Sequence, residues 1–154
     1  MMVPIAIGPA EREQIYAHAR RAFPAECCGY LIGATECLVD GVVECRNAQE
    51  DGEHPARGAD RGFVIAGREL LAFAKSFDGS QPARVVYHSH TNGRAYFSDV
   101  DQALARGPAY PVQHLVVGVT AERVTETAQF AWSADVAAYV EIARWTVEDT
   151  RGHS

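Results

Sequence analysis

Two histidines one residue apart, His88 and His90, close an apolar run. Eleven residues beyond the second lies Asp101, three after Ser98. On a strand, residues i and i+2 point to the same face roughly 6.5–7 Å apart, so both imidazoles can converge on one ion about 2.0–2.1 Å from each nitrogen. Two neutral nitrogens alone bind a cation weakly. A carboxylate brought back by the next helix completes two His and one Asp, the ligand pattern of a catalytic zinc site with water in its open position. Non-haem iron uses the same ligand types, so metal identity stays open. Each half also has a metal-free reading: a histidine pair at a strand end is commonly a solvated edge, and Ser98-x-x-Asp101 is a relative of the capping box. Jointly, His-x-His-x7-Ser-x-x-Asp is expected about 4 × 10⁻⁴ times by chance in a chain of this composition, which favours one constellation over two coincidences.

The elements that must position these residues can be read from periodicity. Residues 84–88 form the clearest core strand, ending in His88-Ser89-His90; a loop follows over 91–97 and a short helix over 98–106. Upstream, Pro9 in a first turn, Glu11 and Glu13 behind it, and Ile15, Ala19, Ala22 and Phe23 at helical spacing predict a helix ending near Pro24. Residues 28–33 read as a buried strand. Residues 37–45 read as a hairpin about Asp40-Gly41, with Val39 opposite Val42 and Cys37 opposite Glu44. Residues 46–62 are polar, carry seven charged side chains and lack periodicity, which predicts a long surface loop. A brief strand at 63–65, a covering helix at 69–77 and strands at 114–120 and 125–132 follow, while 139–147 fits either a helix or a strand. Helices alternating with hairpins give an α/β or α+β class with a mixed sheet.

At 154 residues the chain is sized for one domain, taken as residues 1–154. It is 47% hydrophobic and 22% charged, a globular balance, and no run of about 20 apolar residues offers a membrane span. The start lacks the positive n-region of a secretory signal, so a cytoplasmic location is the default expectation. A net charge of -6 without a Lys/Arg cluster argues against nucleic acid. Four cysteines, two of them adjacent and none in a C-x-x-C pair, read as reduced thiols, and Cys28 reads as a small buried hydrophobe rather than a nucleophile. His114 opens an apolar strand and reads as structural; His18, on a helix with Arg20 and Arg21, reads as solvated; His54 lies in the polar loop. The His-x-Glu and Pro-Cys-x-x-Cys motifs of a zinc deaminase are absent.

Tyr87-His88-Ser89-His90, the spacing to Ser98 and Asp101, and the upstream Pro24-Ala25-Glu26-Cys27-Cys28-Gly29-Tyr30-Leu31-Ile32-Gly33 together resemble the JAMM (MPN+) zinc metalloprotease family, from the first helix to about Val119. Thr91 stands where many members have proline; bacterial members that process sulfur-carrier proteins are similar to this chain in having threonine there. The resemblance implies a single-domain JAMM/MPN fold, cytidine-deaminase-like, with a curved mixed sheet packed between helices. It implies one Zn2+ per chain held by His88, His90 and Asp101, with Glu26 as general base and Ser98 steadying the oxyanion. Without the resemblance, Glu26 reads as a solvated connector carboxylate. The implied activity is that of a peptidase or isopeptidase acting at the C-terminal Gly-Gly tail of a small ubiquitin-like protein. Only residues 102–113 separate Asp101 from the next strand, leaving little room for the segments that embrace polymeric ubiquitin. The compact form therefore resembles the sulfur-carrier-processing members. Such a tail would lie as an added strand with its glycines in a narrow channel, which Leu31, Tyr96 and Phe97 are expected to line. Two alternatives stand beside this reading: a deconjugase releasing a ubiquitin-like modifier from lysine, and a non-catalytic MPN scaffold, against which the complete ligand set argues. No nucleic-acid or membrane partner is expected, and a homo-oligomer stays open.

Overall fold

Side-chain alternation through the central strands gives one sheet two apolar faces, and each face needs its own cover. The computed structural model describes residues 3–48, 64–107 and 110–147. In chain order its elements are α1 (Pro9–Ala22), β1 (Cys28–Ile32), β2 (Gly41–Cys45), α2 (Gly67–Ser76), β3 (Ala83–His90), α3 (Asp99–Arg106), β4 (Gln113–Val119), β5 (Val124–Ser133) and β6 (Ala138–Thr146). The six strands form one mixed sheet in the order β2-β1-β3-β4-β5-β6. β3 and β4 are parallel and every other neighbouring pair is antiparallel. A parallel pair cannot be joined by a tight turn, and here the crossover is the 91–97 loop followed by α3.

On one face, Ile15, Tyr16 and Ala19 of α1 pack on Leu31, Val85, Tyr87, Leu115 and Val117. On the other, Phe73 of α2 packs on Tyr30 and Val86, and Phe97 and Ala105 pack on Val116, Phe130 and Tyr139. Burial on both faces explains why β3 and β4 read as nearly continuous apolar runs. His88 and His90 share the phase of Val86, and so lie on the α2 and α3 face. Among the described residues, no helix is long and apolar enough to cross a membrane.

Three readings change here, and one left open is settled. The 37–45 hairpin does not form. β2 pairs with β1 from Cys28↔Cys45 to Ile32↔Gly41, which sets Glu44 opposite Gly29 rather than Cys37. The stretch before β2 runs beside the N-terminal segment instead: Ala6 N–H donates to the Cys37 carbonyl, and Val39 N–H to that of Ala6. Burial against β1 outweighs the local turn signal of Asp40-Gly41. His18 is half-buried rather than solvated, its Nδ1 2.7 Å from the Tyr87 hydroxyl, and burial lowers its pKa. Val64 and Ile65 are not in a strand; Val64 N–H donates to Asn47 Oδ1 (3.0 Å) and its carbonyl accepts from Ala48 N–H. The undecided 139–147 stretch is the edge strand β6, held by its ladder to β5 and by Trp145 Nε1 donating to the Tyr16 hydroxyl (2.8 Å). Phe63, His54 and residues 49–62 of the expected loop lie outside the described residues. The four cysteines are free thiols and His114 is buried, as read from sequence.

Candidate metal centre

β3 presents His88 and His90 to one side and Ser89 to the other, because successive strand residues alternate. Both imidazoles are buried, His88 completely. The chain must then return to them, and the 91–97 loop is tied down for that purpose. The Thr125 hydroxyl donates to the Gly93 carbonyl, Ala95 N–H donates to the Glu126 carboxylate (2.8 Å), and Arg144 bridges Glu126 and the Ala95 carbonyl. Gly93 occupies the left-handed region at φ 77°, where a side chain is strained. Gly118 lies beneath it: a Cβ there would sit 2.6 Å from the Gly93 carbonyl.

The loop delivers Ser98 as N-cap of α3. Asp101 N–H donates to Ser98 Oγ (3.0 Å), and Ser98 N–H donates to Asp101 Oδ2 (3.0 Å), a complete capping box. The metal-free reading of Ser98-x-x-Asp101 is therefore realised, but the same Oδ2 also does something a cap does not require. It lies 3.2 Å from His88 Nε2 and 3.1 Å from His90 Nε2, and those nitrogens are 3.2 Å apart. Three ligand-type atoms thus form a nearly equilateral triangle. Its edges approach the roughly 3.3–3.4 Å spanned between ligands of a tetrahedral ion with 2.0–2.1 Å bonds.

Proton placement fits a cation as well. His90 Nδ1 is 3.3 Å from the Arg94 carbonyl, which can only accept, so Nδ1 carries the proton. Nε2, the other ring nitrogen, is then the one turned toward the carboxylate oxygen and the His88 imidazole, a donor set suited to a divalent ion. Complete burial lowers the pKa of His88 more than Asp101 raises it, favouring the neutral, ligating form. Burial alone would raise the Asp101 pKa, yet its contacts with His88, His90 and the Ser98 backbone outweigh this and hold the carboxyl below the usual range.

Glu26 reaches the same place from the entry to β1. It is buried, and one of its carboxylate oxygens and one ring nitrogen from each of His88 and His90 all lie within 4.8 Å of one another. Two carboxylates thus flank the histidine pair, Asp101 at ligand spacing from both nitrogens and Glu26 close by. The backbone around Glu26 is clamped. Cys27 N–H donates to Ser89 Oγ (2.8 Å), Ser89 N–H returns to the Cys27 carbonyl (3.1 Å), and the Asn47 amide donates to the Glu26 carbonyl (3.0 Å). Sequence reasoning missed Ser89 and Asn47. Ser89 was visible only as the residue between two histidines, and Asn47 carried no local signal.

The three residues expected to line a channel separate. Leu31 is fully buried in the core beneath α1, on the sheet face opposite the histidines, and does not reach the site. The upstream motif placed it near Glu26 in sequence, but strand alternation turns it away. Tyr96 is 44% exposed with its ring 4.6 Å from that of His90, so it borders the site on the solvent side. Phe97 stands 6.4 Å from the His88 ring and 5.0 Å from that of His114, packed on Phe130 and Tyr139.

Fold and site together define a class. The chain belongs to the prokaryotic homologs of the JAB domain, whose family profile matches residues 9–135, in agreement with the JAMM/MPN resemblance carried by the motif. Among curated relatives, the CysO-cysteine peptidases of Mycobacterium bovis and Mycobacterium tuberculosis are each 32% identical over 97 residues, 60% of this chain and 59% of theirs. The match therefore spans less than two thirds of those relatives. Among solved structures, the chain is similar to a Desulfitobacterium hafniense protein at a TM-score of 0.62 and 24% identity, covering 88% of this chain and 87% of that one. A Salinibacter ruber protein is similar at a TM-score of 0.60 and 22% identity, covering 88% and 86%. Likeness at these identities speaks for the fold alone.

Proposed function

We propose that the chain is a single-domain zinc peptidase that hydrolyses the bond after the Gly-Gly tail of a small ubiquitin-like sulfur-carrier protein. The observation that carries this reading is the 3.1–3.2 Å triangle of His88 Nε2, His90 Nε2 and Asp101 Oδ2 with the Glu26 carboxylate beside it. His88, His90 and Asp101 would hold one zinc ion, which when bound would supply Lewis acidity, lowering the pKa of water to about 7 and polarising a carbonyl. Glu26, fixed through Asn47 and the Cys27–Ser89 pair, takes a proton from the attacking water and passes it to the leaving amine. Ser98 Oγ accepts from Asp101 N–H, which leaves its own O–H to donate to the developing oxyanion. Tyr96, exposed beside His90, lies where a substrate tail would pass.

The sulfur-carrier substrate is supported by Thr91, by the short connection after Asp101 and by the similarity to proteins named CysO-cysteine peptidases. A deconjugase acting on a lysine-linked modifier would use the same groups and differ in its leaving amine. The test is hydrolysis of linear carrier-Gly-Gly-Xaa fusions beside lysine-linked ones, with zinc content measured on each protein. Glu26→Ala is expected to retain zinc near one per chain while losing about 10²- to 10⁴-fold in turnover. Asp101→Ala is expected to lose the metal itself. Turnover preserved in Glu26→Ala would overturn the assignment of the base, and a purified wild type without zinc would favour a non-catalytic scaffold.

A further inference from the structure

Between α2, α3 and the sheet lies a cavity of about 330 Å³ that none of the steps above uses. This is the lower end of the roughly 300–1,000 Å³ common among small-ligand sites. His88 and Asp101 stand in its wall, so it adjoins two of the three candidate ligands. Most of the remaining lining is apolar, with Phe73, Val86, Phe97, Leu104 and Val112 prominent. No Lys or Arg lines it among the described residues, and Asp101 is its one carboxylate. His114 is the polar exception. It is buried between the rings of Phe97 and Tyr139, its Nδ1 has no hydrogen-bond partner, and burial pushes its pKa down to about 3, so His114 adds no charge to the lining at neutral pH.

A Gly-Gly tail has no side chains with which to fill such a space. A side-chain-sized cavity beside the candidate centre therefore serves the other side of the scissile bond. We infer that this cavity is the subsite for the first residue of the leaving group, and that it selects a large apolar side chain over a charged one. The inference rests on the Gly-Gly reading above. A charged side chain would lose its hydration there and meet no opposite charge except at Asp101, whose carboxylate is engaged with the histidines and Ser98.

The test uses the zinc-loaded full chain and carrier-Gly-Gly-Xaa fusions in which Xaa is Ala, Asp, Leu or Phe. The expected result is a kcat/KM for Leu and Phe about 10- to 100-fold above that for Asp. Leu104→Trp and Ala105→Phe fill the space from α3, and each is expected to collapse the Phe:Ala ratio. A second readout needs no hydrolysis: free L-phenylalanine added to the protein should shift the methyl NMR signals of Val86, Leu104 and Val112, and the two substitutions should abolish those shifts. Equal cleavage of all four fusions without methyl shifts would overturn this inference and leave the peptidase reading standing. Shifts at the cavity with no cleavage of any fusion would support an apolar amino-acid site and overturn the peptidase reading.

Discussion

Ser98 carries two loads that local sequence cannot separate. Its Oγ caps α3 by accepting from Asp101 N–H, and its backbone N–H holds the Asp101 oxygen that faces both histidines. Substitution can separate them. Ser98→Ala should cost about 1 kcal/mol of stability through the lost cap, whereas Ser98→Gly should cost only about a few tenths. Both should lose about 10²- to 10³-fold in kcat, because neither can donate to an oxyanion. Equal turnover in the glycine variant and wild type would confine Ser98 to capping; denaturant titration and steady-state kinetics on one preparation give both quantities. His114 offers a test through pH. Burial, with a smaller contribution from His88 and an opposing one from Asp101, lowers its pKa to about 3 from an ordinary 6.5. A depressed base binds fewer protons folded than unfolded. Its stability contribution is therefore full above about pH 6.5 and is lost as pH falls toward 3, at about 1.4 kcal/mol per unit. Between pH 6.5 and 5.0 the wild type should lose about 2 kcal/mol that His114→Phe does not lose, read from denaturation at the two pH values.

At the scale of elements, the parallel β3–β4 pair decides how the site closes. Its crossover must leave β3 at His90 and return Asp101 to the same point, and the 91–97 loop does so by lying on β4 and β5. Gly118 is where loop and sheet touch most closely. Gly118→Ala would drive a methyl into the Gly93 backbone, which is not the flexible end of a side chain and cannot swing aside. The expected outcome is a loss of about 1–3 kcal/mol together with weaker zinc binding, measured by denaturation and metal titration. Wild-type zinc affinity in this variant would mean that the loop does not position α3. The elements also show where pattern reading stops. The α1, β3 and α3 stretches follow from apolar spacing and cap residues within a few positions of each other. The partner of β2 and the nature of β6 do not, since each is settled by a neighbouring strand distant along the chain.

For the whole molecule, the candidate ligands come from two elements, β3 and α3, so a bound ion would tie the crossover to the sheet. Zinc at about 100 times its Kd should stabilise the fold by about 2.7 kcal/mol, with EDTA reversing the gain, and Asp101→Ala should show neither effect in thermal denaturation. A wild type indifferent to zinc and EDTA would argue against a site formed only in the folded chain. The candidate ligand set, the cap at Ser98, the burial of Cys28 and the α/β class were all open to reading from residue types and spacing, because strand alternation and helix capping act over a few residues. Packing alone decided that Glu26 would meet the histidines through the Cys27–Ser89 clamp, that Leu31 would face the opposite core, that His18 would bond Tyr87, and that an apolar cavity would adjoin His88. Each of these joins segments far apart in the chain, and the energy that selects such pairings is shared among many buried side chains rather than written in any local pattern.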